Sequence, residues 1–176
     1  VRRFVWILAS LAASVSLPSS AVAYEDEATV GLAIGYAGLP GSDSLPVHGV
    51  DLALSAGGGF GDAWSLQGFV RYDRFPSERP LQLGIAGLET VYALDIVRFV
   101  PLFGLGIDGL LTVRERAARG DFALHALVGV DYLIDQRWII GADVRGYWVA
   151  TNGGSPLDPF IVTAGARVSV RFGLDR

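Results

Sequence analysis

The chain of 176 residues carries 14 basic residues, every one an arginine, against 18 carboxylates, for a formal charge of −4, and it has no cysteine. The missing cysteines exclude disulfides, thiol chemistry and cysteine metal sites. The acidic balance offers nucleic acid no attraction, so no nucleic-acid partner is expected. Charged residues make up 18% of the chain, below the ~25% of ordinary soluble domains. Such a protein either buries much of itself or faces lipid.

The first 23 residues read as an export signal. Arg2 and Arg3 form a basic start, Phe4 to Leu17 an apolar run, and Ala21-Val22-Ala23 a small-residue cleavage motif. The run is short of the ~20 residues that span a bilayer as a helix. The expected division is therefore a signal peptide over 1–23 and one domain over 24–176.

After an acidic lead-in, Tyr24–Glu27, eight segments alternate apolar with polar or small residues. They run over Ala28–Gly38, Val47–Phe60, Ala63–Arg74, Leu81–Leu94, Val97–Val113, Asp121–Ile134, Arg137–Val149 and Pro159–Gly173. Period-2 alternation over a dozen residues means a long β-strand with two unlike faces. In the seventh segment Trp138, Ile140, Ala142, Val144, Gly146 and Trp148 share one face, while Asp143 and Arg145 fall on the other. The fourth is the least regular, because its apolar set must accept Gln82, Gly84 and Thr90; a bulge there would shift its register.

Connections alternate long and short. The long ones, Leu39–Pro46, Phe75–Pro80, Arg114–Gly120 and Ala150–Asp158, are rich in Pro, Gly, Ser and Arg. The short ones are Gly61-Asp62, Asp95-Ile96 and Asp135-Gln136, each with an aspartate suited to a tight turn. Leu94 is expected opposite Val97, Phe60 opposite Trp64, and Ile134 opposite Trp138. Strict alternation puts all the short turns at one end and all the long loops at the other. This up-and-down pattern is that of a bacterial outer-membrane barrel, short turns toward the periplasm.

Length agrees. Ten residue steps from Trp138 to Trp148, at ~3.3 Å each and tilted ~40°, reach about 25 Å in height, the size of such a barrel's apolar band. Tyr36, Phe60, Trp64, Tyr72, Tyr92, Tyr132, Trp138, Trp148, Phe160 and Phe172 sit at or near strand ends on the apolar set, as two aromatic girdles would require. A soluble, lipocalin-like periplasmic barrel would instead turn its aromatics inward around a ligand.

With its export signal, eight strands, loop asymmetry and terminal Val168-Ser169-Val170-Arg171-Phe172, the chain resembles the OmpA/OmpX-like small outer-membrane β-barrels. The resemblance implies a location in the outer membrane of a Gram-negative bacterium. It also implies contact with outer-membrane lipids and lipopolysaccharide, and recognition by the barrel-assembly machinery through an aromatic end residue. Phe172 is the counterpart, although Gly173–Arg176 follow it.

Alternation places Asp51, Arg71, Asp73, Glu89, Arg98, Asp108, His125, Asp131, Asp143, Arg145, Arg167 and Arg171 on the inner face. Eight strands leave an interior just wide enough for side chains to fill, and charges there must be paired. A closed lumen plugged by ion pairs is the expectation; a small diffusion pore is the alternative. For catalysis, lipid A deacylases of similar size use a His-x-Ser motif. Here His125-Ala126-Leu127 lacks the serine, and His48 has none at that spacing. No enzyme, cofactor or metal is expected, and the chain reads as a monomer with a structural or envelope-stabilising role. Arg114, Arg116 and Arg119 form a basic loop at the outer end, suited to lipopolysaccharide phosphates because guanidinium binds anions in pairs of hydrogen bonds.

Overall fold

The computed structural model describes residues 27–40, 47–60, 63–77, 80–94, 98–114, 117–150 and 160–173. The expected leader over 1–23, the residues Gly61, Asp62, Asp95, Ile96 and Val97, and Arg116 lie outside the described residues.

Eight strands form: β1 (Ala28–Gly38), β2 (His48–Gly59), β3 (Trp64–Phe75), β4 (Leu81–Ala93), β5 (Phe99–Arg114), β6 (Ala117–Leu133), β7 (Trp138–Val149) and β8 (Phe160–Phe172). Each pairs antiparallel with its chain neighbours, and β1 pairs with β8, which closes the barrel. Closure satisfies every strand edge, the condition for backbone to lie in lipid. At the β1–β8 seam Gly35 lies opposite Gly165. A Cβ on Gly35 would come within 2.6 Å of the Gly165 Cα, so only glycine permits this approach of the two backbones.

The pleat has the expected hand. Large apolar residues stand outward all round the wall, among them Ile34 at 67% exposure and Leu105 at 70%. Inside, Asp51, Asp73, Glu89, Asp108 and Arg145 are buried. An outer surface this apolar cannot be solvated by water at tolerable cost. The inverted, lipocalin-like polarity is excluded by the same observation. β4 pairs without interruption with both β3 and β5, so no bulge relieves its irregular outward set.

Two of the three tight connections have the expected geometry. The Phe60 N–H donates to the Trp64 carbonyl at 2.9 Å, and the Ile134 N–H to the Trp138 carbonyl at 3.0 Å. Asp135 makes the second turn: its Oδ1 accepts from the backbone N–H of both Arg137 and Trp138 at 2.7 Å. These bonds to the charged form hold its carboxyl below the ordinary 3.8, Trp138 contributing most.

The third differs. Leu94 donates to the carbonyl of Pro101, not across to Val97, and Ala93 is level with Leu102. The register is displaced by four residues. An even displacement keeps every side chain on its original face, which is why alternation alone could not detect it. One more boundary moves: β6 begins at Ala117, and Arg114 pairs with Ala117. Of the expected long loop, Arg114 thus belongs to β5 and Ala117 to Gly120 to β6, with Arg119 inside the strand.

Candidate functional site: the lumen and its two ends

Three layers fill the interior, and each follows from what the strands turn inward at that height. The middle layer is ionic. Glu89 on β4 is its hub: Oε1 accepts from Arg145 Nη2 at 3.0 Å, and Oε2 from Arg145 Nε at 3.3 Å. His125 on β6 lies between two carboxylates, with Nε2 3.0 Å from Glu89 Oε2 and Nδ1 2.7 Å from Asp108 Oδ2. Arg145 Nη1 donates to Asp143 at 2.5 Å. From there Asp143 faces Arg167 at 3.8 Å, and Arg167 grips both oxygens of Asp131 at 2.7 Å. One chain of charge thus ties β4, β5, β6, β7 and β8 together. Two aromatic rings brace it: Arg145 lies 5.6 Å over the Phe69 ring, and Tyr147 packs 5.2 Å from His125.

A second ionic group spans β2 and β3. Arg71 Nη1 donates to Asp51 Oδ2 at 2.7 Å. Asp73 lies directly opposite Asp51 in register, wholly buried, and neither of its oxygens meets a protein hydrogen-bond donor. Two ionised carboxylates in opposed positions would repel, and Arg71, bonded to Asp51, is the cation beside them.

Toward the long-loop end the interior turns apolar. Leu39, Phe75, Leu81, Leu83, Val149 and Ile161 are at most 1% exposed and pack as one cluster. They form a cap above the charges. Toward the short-turn end the filling is one-sided. Val91, Val100, Leu102 and Leu127, from β4 to β6, pack together, while the inward positions of β1 to β3 around the same space carry Thr29, Gly59, Ser65 and Gln67. Small residues cannot reach across, and a cavity of about 120 Å³ remains, with Asp131, Arg167 and Arg171 on its wall.

The expected lumen residues divide by position. Asp51, Arg71, Asp73, Glu89, Asp108, Asp143, Arg145 and, at the edge of the cavity, Asp131 and Arg167 are inside. Arg171 is a rim residue, paired at 3.2 Å with Glu27, a carboxylate not anticipated in the network. Arg98 is a correction: it is exposed. On the β4 side pairing with β5 stops at Leu94 and Pro101, so Arg98, held only on the other side by the Leu133 N–H bonding its carbonyl, reaches water at the short-turn rim. Of the expected basic loop, Arg114 ends β5. Arg119 lies in β6, on the inner-face alternation, with Nε 3.4 Å from Asp121. That contact is long and its arginine partly exposed, so it adds little to stability.

The apolar cap lies outside what alternation predicts for the lumen. Its signal is present in β4, where Leu81, Leu83 and Ile85 occupy the alternation opposite to Leu88: large apolar residues change face partway along the strand.

A closed eight-stranded barrel, apolar outside and ionic within, defines a transmembrane β-barrel of the bacterial outer-membrane class. By sequence the chain matches no protein-family model and no curated protein. By structure it is similar to small outer-membrane barrels of the OmpA/OmpX-like kind. Neisserial surface protein A has 19% identity and a TM-score of 0.62, covering 83% of this chain and 96% of that one. The N-terminal barrel domain of Pseudomonas aeruginosa OprF has 15% identity and a TM-score of 0.57, covering 84% and 98%. An outer-membrane enzyme, PagL, shares the fold at 14% identity and a TM-score of 0.53, covering 81% and 98%.

Proposed function

We propose that the protein is a non-catalytic, non-conducting structural element of the outer membrane. The apolar cap carries this reading. An ion crossing the lumen would have to shed its water against Leu39, Phe75, Leu81, Leu83, Val149 and Ile161, and then displace salt bridges from the Glu89 hub. Either barrier alone opposes conduction.

A catalytic role in the manner of PagL has less support. His125 is the histidine with carboxylate partners on both sides, an arrangement that orients a base. Yet it is 4% exposed, its ring neighbours are Phe69 and Tyr147, and both its nitrogens are engaged, so none is free to activate a nucleophile.

The test is planar-bilayer recording of the refolded protein. Closed traces are expected from the native chain, and steps of measurable conductance from a variant carrying both Phe75→Ala and Leu83→Ala. Steady conductance in the native chain overturns the reading in favour of a diffusion pore.

A further inference from the structure

The outward face has two chemically different ends. At the short-turn end its girdle is aromatic only: Trp64 packs on Tyr92 with ring centres 4.8 Å apart, and Phe99 on Tyr132 at 4.9 Å. At the long-loop end aromatic residues recur, but two ionisable groups join them. Among the described residues of the eight strands, Arg74 and His48 are the only Arg, His, Asp or Glu on outward positions; both are exposed.

They are neighbours. Val50 pairs with Arg74, and His48 is the next outward residue on β2, so the two side chains stand diagonally, ~7–8 Å apart at their origins. On the other side Arg74 is level with Gln82 of β4, whose amide also faces outward. Tyr36 hydrogen-bonds His48 Nδ1 at 2.6 Å, which fixes the ring and leaves Nε2 directed away from it. No carboxylate among the described residues pairs with Arg74.

A lipid-facing arginine is costly at the membrane midplane and close to neutral at its edge. Its position one residue from the end of β3 makes it tolerable. It does not explain why the cation, the imidazole and the amide share one spot on the wall and have no counterpart at the other end. The arrangement supplies up to three kinds of donor and no acceptor anion. Guanidinium in particular matches a phosphoryl group with paired hydrogen bonds.

We propose that Arg74, with His48 and Gln82, binds a phosphate of the outer leaflet's phosphorylated glycolipid, lipid A, and so anchors one lipid molecule at the β2–β3–β4 wall. The site is distinct from the lumen. A closed barrel without lipid A binding would leave the structural reading intact and remove only this one.

The test uses the full protein reconstituted in phosphatidylcholine bilayers, with acyl-labelled lipid A as the probe and energy transfer from the tryptophans as the readout. Arg74→Gln is expected to weaken enrichment of lipid A around the protein about tenfold, the scale of one charged hydrogen-bonding partner. His48→Gln should weaken it less, and removing the lipid's phosphates should reproduce the Arg74→Gln loss with the native chain. Heat-dependent gel mobility checks that both variants fold, since both residues are exposed. Unchanged enrichment in Arg74→Gln, or equal enrichment of dephosphorylated lipid A, overturns the proposal. Equal competition by phosphatidylglycerol overturns the assignment to the glycolipid.

Discussion

The two ends of the lumen are made from the same strands and filled in opposite ways. At the long-loop end β1 and β3 to β8 all contribute apolar side chains to one buried cluster. At the short-turn end the packed apolar cluster comes from β4 to β6, and a cavity remains beside Thr29, Ser65 and Gln67. Between them lies the Glu89–Arg145–His125 hub. Ion pairs inside a protein contribute little net stability when intact, but are costly to break. Apolar packing contributes directly. The comparison therefore assigns stability to the cap and specificity of packing to the hub.

Breaking the hub should produce an effect as large as any single change in the cap. Glu89→Ala leaves Arg145 and His125 buried without their shared partner, and a loss of about 3–5 kcal/mol is expected in urea unfolding from lipid vesicles. A loss below 1 kcal/mol would mean that water already enters the middle layer.

The two ends can then be compared directly. Phe75→Ala in the cap should cost about 3–5 kcal/mol, because close packing on all sides leaves a void. Leu102→Ala, whose side chain borders the existing cavity, should cost nearer 2 kcal/mol, at the low end for a core leucine. Equal costs would show that the cap is no better packed than the Val91, Val100, Leu102 and Leu127 cluster at the other end.

The smallest effect concerns the rim. Asp135 stabilises its turn through a carboxyl held below 3.8 by two backbone donors. A depressed native value means that the contribution is complete above about pH 4 and fades as pH falls further, through the native value. Asp135→Asn should remove that acid sensitivity from the folding midpoint while changing little at pH 7. Retained sensitivity would place it elsewhere, on carboxylates of the wall.

Much of this was legible in the residues. Strand number, pairing order and the facing of Asp51, Glu89, Arg145 and Arg167 all follow from alternation, because a pleat permits only two directions. What alternation cannot show is displacement by an even number, and that is where reading and structure part: Leu94 meets Pro101 four residues beyond Val97. Arg98 was misplaced for the same reason. Arg119 reads as a loop residue because Gly120 and its charged neighbours resemble turn chemistry, yet β6 pairs with β5 from Ala117 onward. The cap was hidden differently. A rule that apolar residues face lipid holds for the wall as a whole, but says nothing of the inward leucines in β4, which only packing across the barrel reveals. Partners within the hub, such as Glu89 with His125, come from strands two apart and leave no mark on sequence spacing.

The Gly35–Gly165 contact has a kinetic corollary. Among the eight strands β1 is made first and β8 last, so the amide and carbonyl row on that side of β1 stays unmatched until the other seven exist. An unmatched row of that kind invites pairing with foreign strands, and joining such distant segments is slow. Any substitution that obstructs this meeting of the two glycines would act first on the yield of completed barrels, before it altered the strength of those that form.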